Sequence, residues 1–138
     1  MSNKKKKLKP PEEWMKQADY DIATADAMLK AGRYIYAIFM AHLALEKALK
    51  SIYAKTLNLE PPRTHNLILL LERIETKTEL GFTKTQNEFV EFINEKSVPS
   101  RYPDTLQQVL KEYRKIETTK LVEQSKGIIK CLKKKLKK

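Results

Sequence analysis

Residues 34 to 56 read YIYAIFMAHLALEKALKSIYAKT. Ile35, Ile38, His42, Leu45, Leu49 and Ile52 recur at gaps that alternate between three and four, which keeps them on one face of an α-helix. Tyr36, Phe39, Met40 and Leu43 widen that stripe past a single face. A helix so apolar around its circumference belongs at the centre of a bundle or between two subunits. Asn58 to Pro62 end it.

The same periodicity returns on either side. Pro10 and Pro11 precede a first helix from about Glu12 to Lys30, where Trp14, Ala18, Ile22, Ala25 and Leu29 form one stripe. Gly32 stops it. A third helix starts near Thr64 or Asn66, either of which can cap it, and buries Leu67, Leu70, Leu71 and Ile74. Thr85 with Glu88 reads as a capping box for a short fourth helix through about Asn94. Glu95 to Asp104, with Pro99 and Pro103, reads as a loop. Asp104 can cap a last helix that carries Leu106, Val109, Leu110, Tyr113, Ile116, Leu121, Ile128, Leu132 and Leu136. No segment alternates with period two and none repeats. The expected fold class is all-α, an up-and-down bundle of four to five helices.

A chain of 138 residues holds one such domain, over residues 1–138. Its net charge of +11 is unevenly placed. Basic tails lie at about residues 1–9 and 130–138 and contain no acid. They hold 11 of the 28 basic residues, which leaves 17 bases against 17 acids between Pro10 and Ile129. Such tails bind phosphate backbones without reading sequence; the plainer reading is frayed, solvated ends. No apolar run approaches the ~20 residues that span a bilayer, and no apolar stretch follows the basic Met1–Pro10, so neither a membrane span nor a secretory signal is expected and the location expected is cytoplasmic.

Cys131 is the single cysteine, so no internal disulfide forms. With His42 and His65 the only histidines, no metal site is expected, and no cofactor. Gly-rich phosphate loops, HExxH and GxSxG are absent. His42 lies on the apolar stripe, where a satisfied core histidine is the plain reading and an interface or pocket wall the sharper one. Glu46 and Lys50 are spaced as a helix-surface pair. Arg63 and His65 stand at a helix start, whose free amides attract phosphate; capping and loop packing is the alternative. Arg101, Tyr102 and Asp104 form the strongest local cluster: a guanidinium grips phosphate with two parallel bonds and a phenol ring offers a stacking face. The alternative gives Asp104 to a cap, Arg101 to an acid and Pro103 to the turn.

Trp14, Gln17-Ala18, Asp21 and Gly32-Arg33-Tyr34, then Ala41-His-Leu-Ala-Leu-Glu-Lys-Ala-Leu-Lys50, Thr64-His65-Asn66-Leu67 and Ser100-Arg101-Tyr102-Pro103-Asp104 together resemble the HEPN family, in the family's order. The resemblance covers about Trp14 to Tyr113. It implies a dimeric helical bundle that binds nucleotide or RNA near the dimer interface, often with a minimal nucleotidyltransferase partner in a toxin–antitoxin pair. The residues it implies for nucleotide are Arg101, Tyr102, Asp104, Arg63, His65 and Lys47; Ile38, His42, Leu45 and Leu49 would lie at the dimer interface or in the core. The family's ribonucleases carry an arginine followed four to six residues later by a histidine. Here Arg101 is followed by Thr105, Leu106, Gln107 and Gln108, and no histidine follows His65. No catalytic residue is therefore assigned. The expected function is a non-catalytic, nucleotide- or RNA-binding homodimer. A metal-independent ribonuclease with a displaced histidine, His65 or His42, and a purely structural dimerisation module are the alternatives.

Overall fold

The computed structural model describes residues 8–101 and 104–138, with the side chains of 98–101 excepted. It is all-helical among the described residues: α1 (Pro11–Lys30), α2 (Tyr34–Leu57), α3 (Leu67–Glu75), α4 (Lys84–Arg101), α5 (Leu106–Glu112) and α6 (Lys115–Leu136).

The most apolar segment is the central one. α2 packs against all the other helices, and Ile38, His42, Leu45 and Leu49 are buried within the single chain. α2's main stripe is therefore covered by its own neighbours, while Tyr36, which widens it, stays exposed. The turn into α2 is closed by Gly32 at φ +77, a left-handed conformation that favours glycine. It lets Arg33 N–H reach the Met28 carbonyl at 2.8 Å and Gly32 N–H the Leu29 carbonyl at 3.1 Å, which satisfies two orphan carbonyls of α1. Asn58, at φ 53, ends α2 in the same region of backbone space.

Two ion pairs set the direction of α6 against α1. Lys126 Nζ lies 2.6 Å from Asp26 and Lys133 Nζ 2.6 Å from Asp19, so the two helices run antiparallel. The Asp26 hydrogen bond raises the Lys126 pKa above the usual lysine value. The C-terminal lysines are not a frayed tail, as the charge run alone implied. They continue α6 through Leu136, with Leu132 in the core, because Leu132 and Leu136 extend its apolar stripe.

Three boundaries differ from the sequence reading. The capping box of α4 is Thr83 with Gln86, two residues earlier than Thr85 with Glu88: Thr83 N–H donates to Gln86 Oε1 at 2.9 Å and Gln86 N–H to Thr83 Oγ1 at 3.1 Å. α4 continues through Pro99 to Arg101, where a loop was expected. A proline removes one helical hydrogen bond, but Phe89, Val90, Ile93 and Ser97 are buried and packing carries the helix on. The last helix is broken at Tyr113 and Arg114, which gives six helices among the described residues rather than four or five. Its cap is Thr105, whose hydroxyl accepts from Gln108 N–H at 3.3 Å, and not Asp104.

The break has a visible cause. Tyr113 is 2% exposed, and its hydroxyl donates to the Lys96 carbonyl at 2.9 Å, tying the α5–α6 junction to α4. Leaving α-helical geometry there (φ −104, ψ 88) turns the ring inward, while Leu106, Leu110 and Ile116, carried on the same stretch, stay exposed. Tyr113→Phe is expected to cost about 0.5–1.5 kcal/mol at neutral pH, the worth of one hydrogen bond, read by urea denaturation. Burial, then Glu112, raises the phenol's pKa above 10. The stabilisation by the neutral phenol is therefore complete below its unfolded value near 10 and is lost as pH climbs through the folded value. The wild type should lose more stability in that window than the phenylalanine variant, which keeps only the loss from Lys126. An unchanged denaturation midpoint at neutral pH would mean the bond contributes nothing.

Candidate functional site

One carboxylate organises the polar side of α2. Glu46 is only 3% exposed. It accepts from Lys50 Nζ at 2.9 Å and lies 2.8 Å from His65 Nδ1. An ionised carboxylate only accepts, so the His65 proton belongs on Nδ1 and Nε2 is left for solvent or a ligand. The ring is accessible, with its side chain 67% exposed. Lys50 is buried as well, and its ammonium lies 5.5 Å from the centre of the Trp14 ring; Lys9 lies 3.9 Å from that ring. Glu46 and Lys50 are thus an interior pair rather than the helix-surface pair their spacing indicated. One residue along α2, Lys47 Nζ lies 2.8 Å from buried Asp21. That approach is a charge contact and not a directed hydrogen bond.

A second network holds the root of α3. Asn66 caps the helix, its side-chain oxygen accepting from Ile68 N–H at 3.0 Å and Leu69 N–H at 3.2 Å. Asn94, from the middle of α4, accepts from Leu67 N–H at 2.9 Å, donates to the Asn66 side-chain oxygen at 3.3 Å and meets His42 Nε2 at 3.4 Å. His42 is 1% exposed, a core histidine. The expectation of free amides at this helix start is corrected here: asparagine side chains already occupy the first turn, so a phosphate would have to displace them.

The structure therefore separates the residues selected from sequence. His65 is joined to Glu46 at the α2–α3 edge, with Arg63 exposed two residues before it. Lys47 turns to Asp21 on α1. Asp104 is exposed ahead of α5. Arg101 is the last residue of α4, and its side chain, like the whole of Tyr102, lies outside the described residues. Ile38, His42, Leu45 and Leu49 are interior. Sequence reasoning missed Glu46 as a hub and Asn94 altogether. Glu46 left a signal, since it sits between Leu45 and Leu49 inside the stripe. Asn94 left none, because each of its partners is at least 27 residues away.

Two surface grooves lie elsewhere. One, of about 440 Å³ between α1 and α6, is floored by Ile22, Ala23 and Ile129 and rimmed by Asp19, Asp26 and Lys130. The other, of about 550 Å³, lies at the α1–α2 turn beside Lys30, Tyr34 and Lys115. Neither is lined by His65, Glu46 or Lys47. Among the described residues no group of three His, Cys, Asp or Glu side chains is placed to hold a metal ion, and no helix is long and apolar enough to cross a membrane.

The HEPN domain model matches residues 11–136, which takes in α1 through α6. The chain belongs to the HEPN domain family. Its fold is shared by TT1696 from Thermus thermophilus, at 22% identity and a TM-score of 0.78, over 91% of this chain and 97% of that one. It is shared too by ST0689, an archaeal HEPN homologue, at 24% identity and a TM-score of 0.72, over 94% and 99%. No curated protein matched. The first three segments that resemble the HEPN signature are now seen to meet one another. Asp21 and Trp14 of α1 contact Lys47 and Lys50 of α2, and Glu46 reaches His65 ahead of α3.

Proposed function

We propose that this HEPN domain binds nucleotide or RNA without cleaving it, as a symmetric homodimer, alongside a minimal nucleotidyltransferase partner of the toxin–antitoxin kind. The observation that carries the reading is the pair of histidine environments. His42 is buried against Asn94, and His65 is held through Nδ1 by Glu46. Neither belongs to an arginine–histidine pair of the ribonuclease spacing, and Asn94 is seven residues from Arg101, about 10 Å along α4. The exposed Arg63 guanidinium nevertheless offers directed donors and charge to a phosphate, and His65 Nε2 beside it offers an acceptor to a ligand hydroxyl or N–H. The support for a dimer lies not in α2's buried stripe but in the exposed apolar side chains Tyr36, Phe92, Leu106, Leu110 and Ile116.

One observation favours the displaced-histidine ribonuclease as a second reading. A buried carboxylate that fixes an imidazole through Nδ1 and leaves Nε2 outward is the arrangement that orients a general base. Incubation of purified protein with a mixed-sequence RNA decides between them. Intact RNA together with calorimetric binding of a mononucleotide is the expected result. RNA ends bearing 2′,3′-cyclic phosphate, lost in His65→Ala, would establish the second reading. Sedimentation at micromolar concentration is expected to give twice the chain mass, and a monomer there removes the dimer.

A further inference from the structure

Lys9, just ahead of α1, and the lysines that end α6 are more than 100 residues apart in sequence, and the fold brings them to one end of the bundle. Four contacts establish this. Ser51 Oγ donates to the Pro11 carbonyl at 2.7 Å, which sets the start of α1 beside the last turns of α2. Lys55 Nζ donates to the carbonyls of Lys135, at 3.3 Å, and Leu136, which joins the end of α2 to the end of α6. Lys135 Nζ donates to the Glu79 carbonyl at 3.4 Å, which adds the segment after α3. The Asp19–Lys133 pair locks α6 antiparallel on α1 above this end. Lys9, Lys55, Lys130, Lys134, Lys137 and Lys138 are all exposed here. The nearby acids are Glu12, Glu13, Glu60 and Glu79, while Asp19 and Asp26, which share a groove with Lys130, are taken by Lys133 and Lys126.

We propose that this pole is a docking surface for the phosphate backbone of a nucleic-acid strand. Lys130, Lys134 and Lys137 stand at i, i+4 and i+7 on the outer side of α6, in a line roughly 10 Å long on a rigid helix. Lys9, Lys55 and Lys138 extend that charge around the end of the bundle. A small anion needs donors converging from several directions, whereas a line of separated ammonium groups fits a polymer of charges and binds it by counterion release. A structural role accounts for part of the set. Lys133 and Lys135 are engaged with α1 and the Glu79 carbonyl, and lysines in the last turn complement the helix dipole. Lys9 packs over the Trp14 ring and Lys55 holds the α6 carbonyls, but neither that nor the dipole accounts for Lys130, which precedes the last turn. The α6 lysines share no hydrogen bond or ion pair with His65, whose partner is Glu46, so the proposal does not depend on the mononucleotide reading.

The test is fluorescence titration of a labelled single-stranded RNA of mixed sequence over a range of salt. The proteins are the full chain, the triple variant Lys130→Gln/Lys134→Gln/Lys137→Gln, and a control with the same charge change at the opposite pole, Lys30→Gln/Lys111→Gln/Lys115→Gln. All six lysines are exposed, so both variants should fold, which circular dichroism checks. The α6 variant is expected to bind several-fold more weakly at low salt. Its plot of log affinity against log salt should flatten by about 2, from roughly 0.7 for each phosphate of a single strand that is no longer neutralised. The control should keep the wild-type slope. An unchanged slope in the α6 variant, equal flattening in both variants, or binding to phosphatidylserine vesicles with none to RNA would each overturn the proposal. A calorimetric mononucleotide titration of the same variants keeps the two readings apart. Weakened RNA binding at the pole with mononucleotide affinity unchanged supports both, whereas pole-dependent RNA binding with no mononucleotide binding upholds the pole and removes the nucleotide site.

Discussion

Glu46→Leu is expected to destabilise the domain by about 3–5 kcal/mol, because it leaves the buried Lys50 ammonium without its carboxylate. For a chain of this length that is a fall in Tm of roughly 10–20 °C. The loss comes from an uncompensated charge and not from any large net gain of the ion pair, since such a pair gives back in attraction little more than it loses in desolvation. The double variant Glu46→Leu/Lys50→Met should therefore recover much of the loss, with both charges gone and the interior apolar. Urea denaturation of the two singles and the double forms a cycle whose coupling reports this directly. A single variant as stable as wild type, or a double variant that shows the sum of the single losses, would mean that Glu46 is not the hub of this network. His65 adds a separate readout: without Glu46 its Nδ1 loses its partner, so any activity or binding that needs the ring fixed should fall in both Glu46 variants, even where stability returns.

Arg101→Ala is expected to weaken mononucleotide binding roughly ten- to a hundredfold, about 1.5–3 kcal/mol, as for removal of one charge-assisted hydrogen bond. The prediction rests on the guanidinium alone. Amides of the following helix give it no help, because α5 is only seven residues long and Thr105 already occupies the Gln108 amide. The competing account is structural. Arg101 ends α4, where a cation complements the helix dipole at about 0.3–1 kcal/mol. The two accounts separate when one preparation is measured by calorimetric titration and by thermal melting. A variant that melts several degrees earlier yet binds as tightly per folded molecule, or a wild type that binds no nucleotide, makes Arg101 a helix-end residue and removes it from the site.

The sequence by itself determined the all-helical class, the central position of α2 and most of the helix starts. Apolar spacing and capping chemistry are local, and each can be read within a few residues of its effect. Ile38, Leu45 and Leu49 are in the core because a stripe at that spacing has nowhere else to go. The signature residues from Trp14 to Leu67 were legible too, though only as a pattern; that Glu46 ties Lys50 to His65 was not. Where packing overrode local rules, the reading failed. α4 runs through Pro99 because its buried face holds it, and the final helix breaks because the Tyr113 hydroxyl reaches back to Lys96. Only the tertiary structure decided the rest. Asn94 fills the amide at the root of α3, and the start of α1 meets the ends of α2 and α6, so that Lys9 and the lysines of α6 share one pole. These are contacts between residues 27 to 81 positions apart. They depend on how the helices pack on one another, which no local spacing encodes.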